Sequence, residues 1–281
     1  MTVSLKKAGY AAGEAEQYYF VNWRPVFENI LLILIILKSQ DEIKRMSESC
    51  QIVAEVLEGI KKIVAPDITT KELDQYAEAY ILNKGAKPAF KGYRGYPASL
   101  CTSINEQVVH GIPSAVRLNK GDIISLDLGV YYKSFYGDAA LTIPIGEITS
   151  GAKKLLSVTE ESLYAGIRNA FIGNRLFDIS AAIQKSVEAE GFSVVRSFVG
   201  HGIGRELHED PQLPNFGKSG DGPLLREGMT LAIEPMVNAG TWDVVILSDG
   251  WTAVTKDMSL SAHFEHTVAI TSDGPVILTK L

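Results

Sequence analysis

The chain has 281 residues, 46% of them hydrophobic, enough to bury one large core or two fused halves. Its 33 acidic and 27 basic residues give a net charge of −6 and are mixed along the chain, which leaves no basic footprint for nucleic acid. The only cysteines, Cys50 and Cys101, exclude a disulfide framework and a cysteine-built zinc motif, and fit a reducing compartment, the cytoplasm.

Residues 1–29 mix small and polar residues with a few aromatics and show no clear periodicity. "ILLILIIL", residues 30–37, is an apolar run of eight, whereas a spanning helix needs roughly 20 residues. It follows Glu28 and runs into "KSQDE" without a small-residue cleavage site, so it does not read as a signal peptide either. A buried strand, or an element docked on the main body, is the expectation. Residues 1–36 thus form an atypical extension, peripheral or poorly ordered, ahead of a main body at 37–281.

From there the pattern is regular. "QDEIKRMSESCQIVAEVLEGIKKIV" has apolar residues at helical spacing, and "TTKELDQYAEAYILNKG" opens with a Thr69–Glu72 capping box and stops at Gly85. "GAKKLLSVTEESLYAGIRNAFI" and "FDISAAIQKSVEAEGF" repeat the arrangement, the second stopping at Gly191. The local text also repeats, with a shift of 106 or 107 residues. Two halves, each a helix pair followed by strand-rich sequence, predict an α+β fold with helices outside and a curved, mainly antiparallel sheet inside. A cleft between related halves is a natural ligand site.

Between the helix pairs, "SLDLGVYYKSFYGDAALT" alternates with period two on either side of a polar break, the mark of a β-hairpin. Its midpoint at Tyr132 and Lys133 puts Asp127 and Asp138 directly opposite or diagonal to each other. Facing like charges destabilise a strand pair, and a partly buried carboxylate is costly unless paired, hydrogen-bonded or metal-bound. A cation site, an acid/base dyad, salt bridges and a wet face all remain open at this point.

The five histidines all fall in strand-rich or loop segments. His110 follows an apolar strand in "VVHGIP"; His201 sits between two glycines in "VGHGIGRELHEDP", where the backbone can approach a neighbour closely, and His208 lies in the same loop. "MTLAIEPMV" places Glu234 at the end of an apolar strand, and "LSAHFEHTVAIT" places Glu265 inside another, with His263 on the same face. Four carboxylates in apolar strands, with few basic residues to neutralise them, favour cations. Together with a neutral imidazole they suit Mn, Fe, Co or Zn, and a carboxylate-rich set can bridge two ions.

The order of Asp127, Asp138 eleven positions on, His201 in "GHGIGRELHEDP", Glu234 in "IEPMV" and Glu265 in "SAHFEHT" resembles type I methionine aminopeptidase over nearly the whole chain after the extension. The resemblance implies the pita-bread fold, two pseudo-symmetric halves around a site for two divalent ions. Asp127 would chelate one ion, Asp138 and Glu265 would bridge both, and His201 and Glu234 would complete the other. It also implies removal of the N-terminal methionine from nascent or newly made polypeptides with a small second residue, by attack of metal-activated water on the first peptide bond. Glu234 would act as general base, His208 would contact the scissile carbonyl and His110 would lie near the leaving nitrogen.

By matching position, Tyr93, Tyr96, Cys101 and Trp251 line the methionine pocket, a lining suited to a flexible thioether. Asn105 and Ser261 match a monovalent-cation site. Three residues depart from the family pattern. Phe90 and Leu207 stand where a cysteine and a phenylalanine are more frequent, and His263 stands where glutamine is usual, either adding a titrating group beside the metals or replacing the glutamine's hydrogen bond. Residues 1–36 have no counterpart in the short bacterial form, so a misassigned translation start is one explanation for them.

Rival functions are a proline-specific aminopeptidase or prolidase, whose larger N-terminal domain 36 residues cannot supply, and a catalytically silent pita-bread binding module, which all five retained ligands oppose. The type II methionine enzyme has an insertion between the last two ligands; Glu234 and Glu265 are only 31 positions apart here. A monomer, in transient contact with the ribosome and with neither nucleic acid nor membrane as a direct partner, completes the expectation.

Overall fold

The structure is a computed structural model that describes residues 34–281. Helix α1 (Gln40–Ile63) starts at a capping box between Ser39 and Glu42, and α2 (Thr70–Asn83) at the predicted one between Thr69 and Glu72. Each such cap meets orphan amides of the first turn and is worth about 1 kcal/mol. Helix α2 gives way to Gly85 in the left-handed region (φ 71°), as predicted. In the second half, α3 (Ser150–Ile167) is capped by Thr149, and α4 (Leu176–Ala189) is followed by Gly191 at φ 84°.

The helix pairs cover antiparallel strands. In the first half, strand Ile123–Tyr132 pairs with Phe135–Pro144, Cys101–Ile104 and Lys87–Pro88. In the second, Gly200–Gly202, Thr230–Ile233, His266–Thr271 and Gly274–Ile277 line up with Glu209–Leu213 at one edge. Every strand pair among the described residues is antiparallel.

Each half has its own apolar core. Val53, Leu57 and Ile60 of α1 pack with Leu73 and Ile81 of α2 against Ile124, Leu126 and Leu128 of the hairpin. Leu163 and Ile167 of α3 pack with Ile179 and Ile183 of α4 against Leu231, Ile233 and Val268. Burying such a side chain contributes roughly 1.5–3 kcal/mol. A third cluster draws on both halves, setting Met46, Phe90, Tyr96, Cys101 and Phe135 against Ile203, Leu207, Ala232 and Ala269. This seam is where the cleft opens.

The apolar run 30–37 lies partly outside the described residues, as does most of the 1–36 extension. Its described part is not a buried strand: Leu34, Ile36 and Leu37 are exposed, with no strand pairing. Only Ile35 packs against the core, while the following Lys38 donates its amide to Gly228 O at 2.7 Å. Alternating burial needs a partner strand, and the chain enters α1 within five residues of Ile35.

Candidate metal centre and substrate pocket

The hairpin register makes Asp127 oppose Ala140 and Asp138 oppose Gly129, so the two aspartates are diagonal neighbours on one face. The connection is a two-residue turn, Lys133 and Ser134, both with positive φ. Asp138 is tied to the other half through Thr267, whose hydroxyl accepts from Asp138 N at 3.1 Å and donates to Asp138 O at 2.7 Å. Glu265 is tied back the same way: its amide donates to Ala140 O at 2.8 Å.

His201 occupies the centre of the strand Gly200–Gly202. A Cβ at Gly200 would strike Ala232 O and one at Gly202 would strike Asp210 O, so both flanking glycines are required by close backbone approach. Its Nδ1 meets Gly202 O at 2.9 Å, which fixes the proton there and leaves Nε2 with a free lone pair facing Glu234 Oε1 at 3.5 Å. Glu234 follows the strand Thr230–Ile233 directly.

Glu265 departs from expectation. It is not inside a strand but in a break between Ser261–His263 and His266–Thr271. The two segments pair with different partners, Met236–Asn238 and Thr230–Ile233. His263 therefore sits on the far side of the break. It is fully buried, neither ring nitrogen has a hydrogen-bond partner, and Nε2 lies 3.6 Å from Glu234 Oε2.

Electrostatically the cluster is costly as it stands. Burial pushes the carboxyls of Asp127 and Glu234 up to about 7, and holds those of Asp138 and Glu265 well above the usual range. For Asp138 the neighbouring Asp127 charge adds to the effect of burial, and for Glu265 the Asp138 charge does. Asp127 Oδ1, Asp138 Oδ1 and Glu265 Oε1 are buried without a hydrogen-bond partner. One ligand atom each from Asp138, His201 and Glu265 falls within a 4.8 Å span. Buried, unpartnered carboxylate oxygens converging beside an imidazole lone pair fit a divalent cation.

The same cavity, about 160 Å³, is lined by Phe90, Tyr93, Tyr96, Cys101, Leu207 and Trp251 as well as by His110, His208 and the centre itself. All the predicted catalytic, pocket and metal residues are thus brought together. Cys101 lies directly across the strand pair from Asp127, and burial lifts its thiol well above the ordinary range. Tyr96 hydrogen-bonds Gly111 O at 2.9 Å and meets the Trp251 ring edge-on at 5.2 Å. His208 stacks on Tyr93, whose hydroxyl lies 2.8 Å from Nδ1, and its ring centre is 4.2 Å from that of His201.

His110, at φ 61°, stands edge-on to Phe198 and Trp251. Loss of solvation holds His110 down at about 4; His208, exposed at the cleft mouth, is also lowered, by partial desolvation and by the neighbouring His201 and Arg94, so both are neutral at physiological pH. Asn105 and Ser261 meet through Ser261 N and Asn105 O at 2.9 Å, with side chains already bonded to Asp122, the Ile123 amide, Val237 O and Asn238. Arg94, between the two pocket tyrosines in a tight turn, also lines the cavity and was not predicted. The "KGYRGYP" glycines were the available signal.

Residues 44–272 match the description "Metallopeptidase family M24". The chain belongs to that family. This M24 chain uses divalent metal, and its α+β architecture is the family's pita-bread fold. It is 56% identical over 248 residues to a methionine aminopeptidase of Clostridium perfringens, covering 88% of this chain and 100% of the relative. It is 54% identical, with the same coverage, to methionine aminopeptidase 1 of Bacillus subtilis. Among solved structures, a methionine aminopeptidase from Thermotoga maritima superposes with TM-score 0.87 at 48% identity, covering 88% of this chain and 100% of that one. A prolidase from Pyrococcus furiosus shares the fold alone, with TM-score 0.69 at 23% identity, covering 88% of this chain and 66% of that one. Among the described residues no helix is long and apolar enough to cross a membrane.

Proposed function

We propose that this chain is a methionyl aminopeptidase that removes the N-terminal methionine of newly made polypeptides, with a small second residue preferred and residues 37–281 as the catalytic domain. The observation that carries this is one cavity in which an aromatic, thiol-bearing apolar lining abuts two buried carboxylates, two partly buried ones and an imidazole. Phe90, Tyr93, Tyr96, Cys101, Leu207 and Trp251 hold the methionine side chain. Asp127, Asp138, His201, Glu234 and Glu265 would hold two divalent ions of the Mn, Fe, Co or Zn class. Ions bound there lower the pKa of a water and polarise a carbonyl.

The remaining work falls to the chain's own groups. With the Tyr93 hydroxyl donating to His208 Nδ1, the proton of this neutral ring sits on Nε2, a donor for the oxygen of the scissile carbonyl. Glu234, at the end of its strand with Oε1 3.5 Å from His201 Nε2, takes up the proton released by the attacking water and returns it to the leaving nitrogen. His110, held neutral at a left-handed backbone position beside Trp251, orients that nitrogen. Asn105 and Ser261 are the proposed flank of a monovalent-cation site. The enzyme acts as a monomer in the cytoplasm, with transient access to the ribosome.

The test is initial hydrolysis rates on matched peptides beginning Met-Ala, Met-Lys and Ala-Pro, after chelation and with each of Fe(II), Mn(II), Co(II) and Zn(II) added anaerobically. Metal-dependent cleavage of Met-Ala, lost in His201→Ala, is the expected result. Cleavage of Ala-Pro instead would move the chain to the proline-specific branch, and no cleavage with metal bound would leave a binding module.

A further inference from the structure

The loop Gly204–Glu209 presents Leu207 and His208 to the cavity, yet it belongs to no helix or strand until Glu209. Its shape is held from one side by a single carboxylate. Glu209 Oε1 accepts from the amides of Arg205 at 2.7 Å and Glu206 at 3.2 Å, and Oε2 is ion-paired to Lys38 Nζ. Both side chains of the pair are almost wholly buried, at 3% and 4% exposure. Lys38 is anchored in turn: its amide donates to Gly228 O and its ammonium donates also to Ile36 O at 3.1 Å. A Cβ at Gly204 would strike the Lys38 side chain and come within 2.8 Å of Glu209 Oε1, so the loop is moulded around the ammonium. One turn on, Glu42 of the α1 capping box accepts from Arg205 Nη2 at 2.8 Å, a second tie from the same segment to the same loop.

We propose that Lys38, acting through Glu209, is a positioning residue for His208 and Leu207. The N-terminal edge of the main body then sets the geometry of the catalytic histidine it never touches. Glu209 is the residue immediately after His208, so displacing its carboxylate moves the backbone from which the imidazole is stacked on Tyr93 and apposed to His201. Misplacing a reacting group by about 1 Å costs on the order of 100-fold in rate. Loss of a buried ion pair that merely stabilised the fold would lower the melting temperature and leave catalysis in the folded protein unchanged.

The kinetic arm of the test rests on the aminopeptidase reading; the spectroscopic arm does not. Lys38→Met, Lys38→Arg and the parent are compared at least 15 °C below each melting point. The readouts are kcat and KM on a Met-Ala peptide, calorimetric titration with Mn(II), and the ring-proton resonances of 13C-labelled histidine. In Lys38→Met, kcat/KM is expected to fall about 10- to 100-fold, mainly in kcat, with Mn(II) affinity within about two-fold and the His208 resonance shifted or broadened. Lys38→Arg, which keeps the charge, recovers much of the loss. A kcat/KM within two-fold of the parent together with an unmoved His208 resonance would overturn the proposal. If Lys38→Met does not fold, Glu209→Gln, which keeps the acceptor for the two loop amides, is read by the same criteria. A parent inactive on Met-Ala defeats the aminopeptidase reading, and the resonance of His208 then decides the positioning claim alone.

Discussion

Replacing Thr267 by valine separates the two halves of the molecule at one atom. Thr267 is fully buried on the strand His266–Thr271, and its hydroxyl both accepts from Asp138 N and donates to Asp138 O across the seam. Valine fills nearly the same space, so no cavity is expected, but both main-chain groups of Asp138 lose their partner. Each buried group left unmet costs about 1–3 kcal/mol, so about 2–6 kcal/mol is expected for the pair. For a chain of this size each kcal/mol shifts Tm by about 2–4 °C, which puts the drop at about 4–24 °C. Thermal unfolding followed by circular dichroism, with chelator and with Mn(II), measures it. Because Asp138 is a candidate bridging ligand, Thr267→Val should also weaken Mn(II) binding by calorimetry, whereas Thr267→Ser should do neither. A Tm within 2 °C of the parent, with unchanged Mn(II) affinity, would refute the idea that this hydroxyl holds the aspartate in place.

In chelator-treated protein the raised carboxyls of Asp127 and Glu234 bind protons that the unfolded chain does not, so their contribution to folded stability falls as pH rises from about 4 through 7. From pH 8 to 6 those two carboxyls add about 1.4 kcal/mol of stability per proton taken up, opposed by His110, His208, His263 and His266, which stay neutral in the fold and charge in the unfolded chain. The carboxyl part is read as a difference: on going from pH 8 to 6, Tm should rise more, or fall less, with chelator than with Mn(II), because the bound cation keeps the carboxylates ionised. Ser134→Gly removes a side chain from a left-handed position (φ 70°) in the hairpin turn and is expected to gain about 0.5–1 kcal/mol in urea unfolding. His263→Gln should leave Tm within a few degrees while changing the pH dependence of kcat, since Nε2 lies beside Glu234 Oε2; an unchanged profile would make His263 a spacer. Gly202→Ala, driven into Asp210 O, should prevent metal binding by displacing His201 or fail to fold, and a variant that folds and binds Mn(II) normally would refute the close-approach reading.

What could be read from the chain divides along physical lines. Helix ends were legible because their signals are local: Thr69 and Glu72 cap each other's amides, and Gly85 and Gly191 take the left-handed positions that other residues avoid. The hairpin was legible in its faces but not in its register. Its turn uses Lys133 and Ser134 at positive φ, where Asn-Gly would have announced the two-residue loop, so opposite and diagonal placements of the aspartates stayed equally open. Lys38, Glu209 and Thr267 left no trace, since partners 171 and 129 residues apart are joined only by the fold.

The misplacement of Glu265 shows how the centre is made. Alternation runs unbroken through "SAHFEHTVAIT", but the chain changes partners at Phe264 and Glu265. The opposing chain breaks at the same level: Ile233 pairs with His266, Met236 pairs with His263, and Glu234 and Pro235 lie between. Proline has no amide to give a ladder, and Pro235 O receives only a 3.4 Å contact from Phe264 N. Two strands thus lose their pairing together, and each has a glutamate in the gap. A carboxylate inside a regular ladder points to one face or the other at a fixed rise. Released from it, Glu234 and Glu265 can both turn toward Asp127 and Asp138 of the first half. Pro235, two residues beyond the last regular residue of its strand, was the visible mark of that break in a pattern that otherwise reads as continuous sheet.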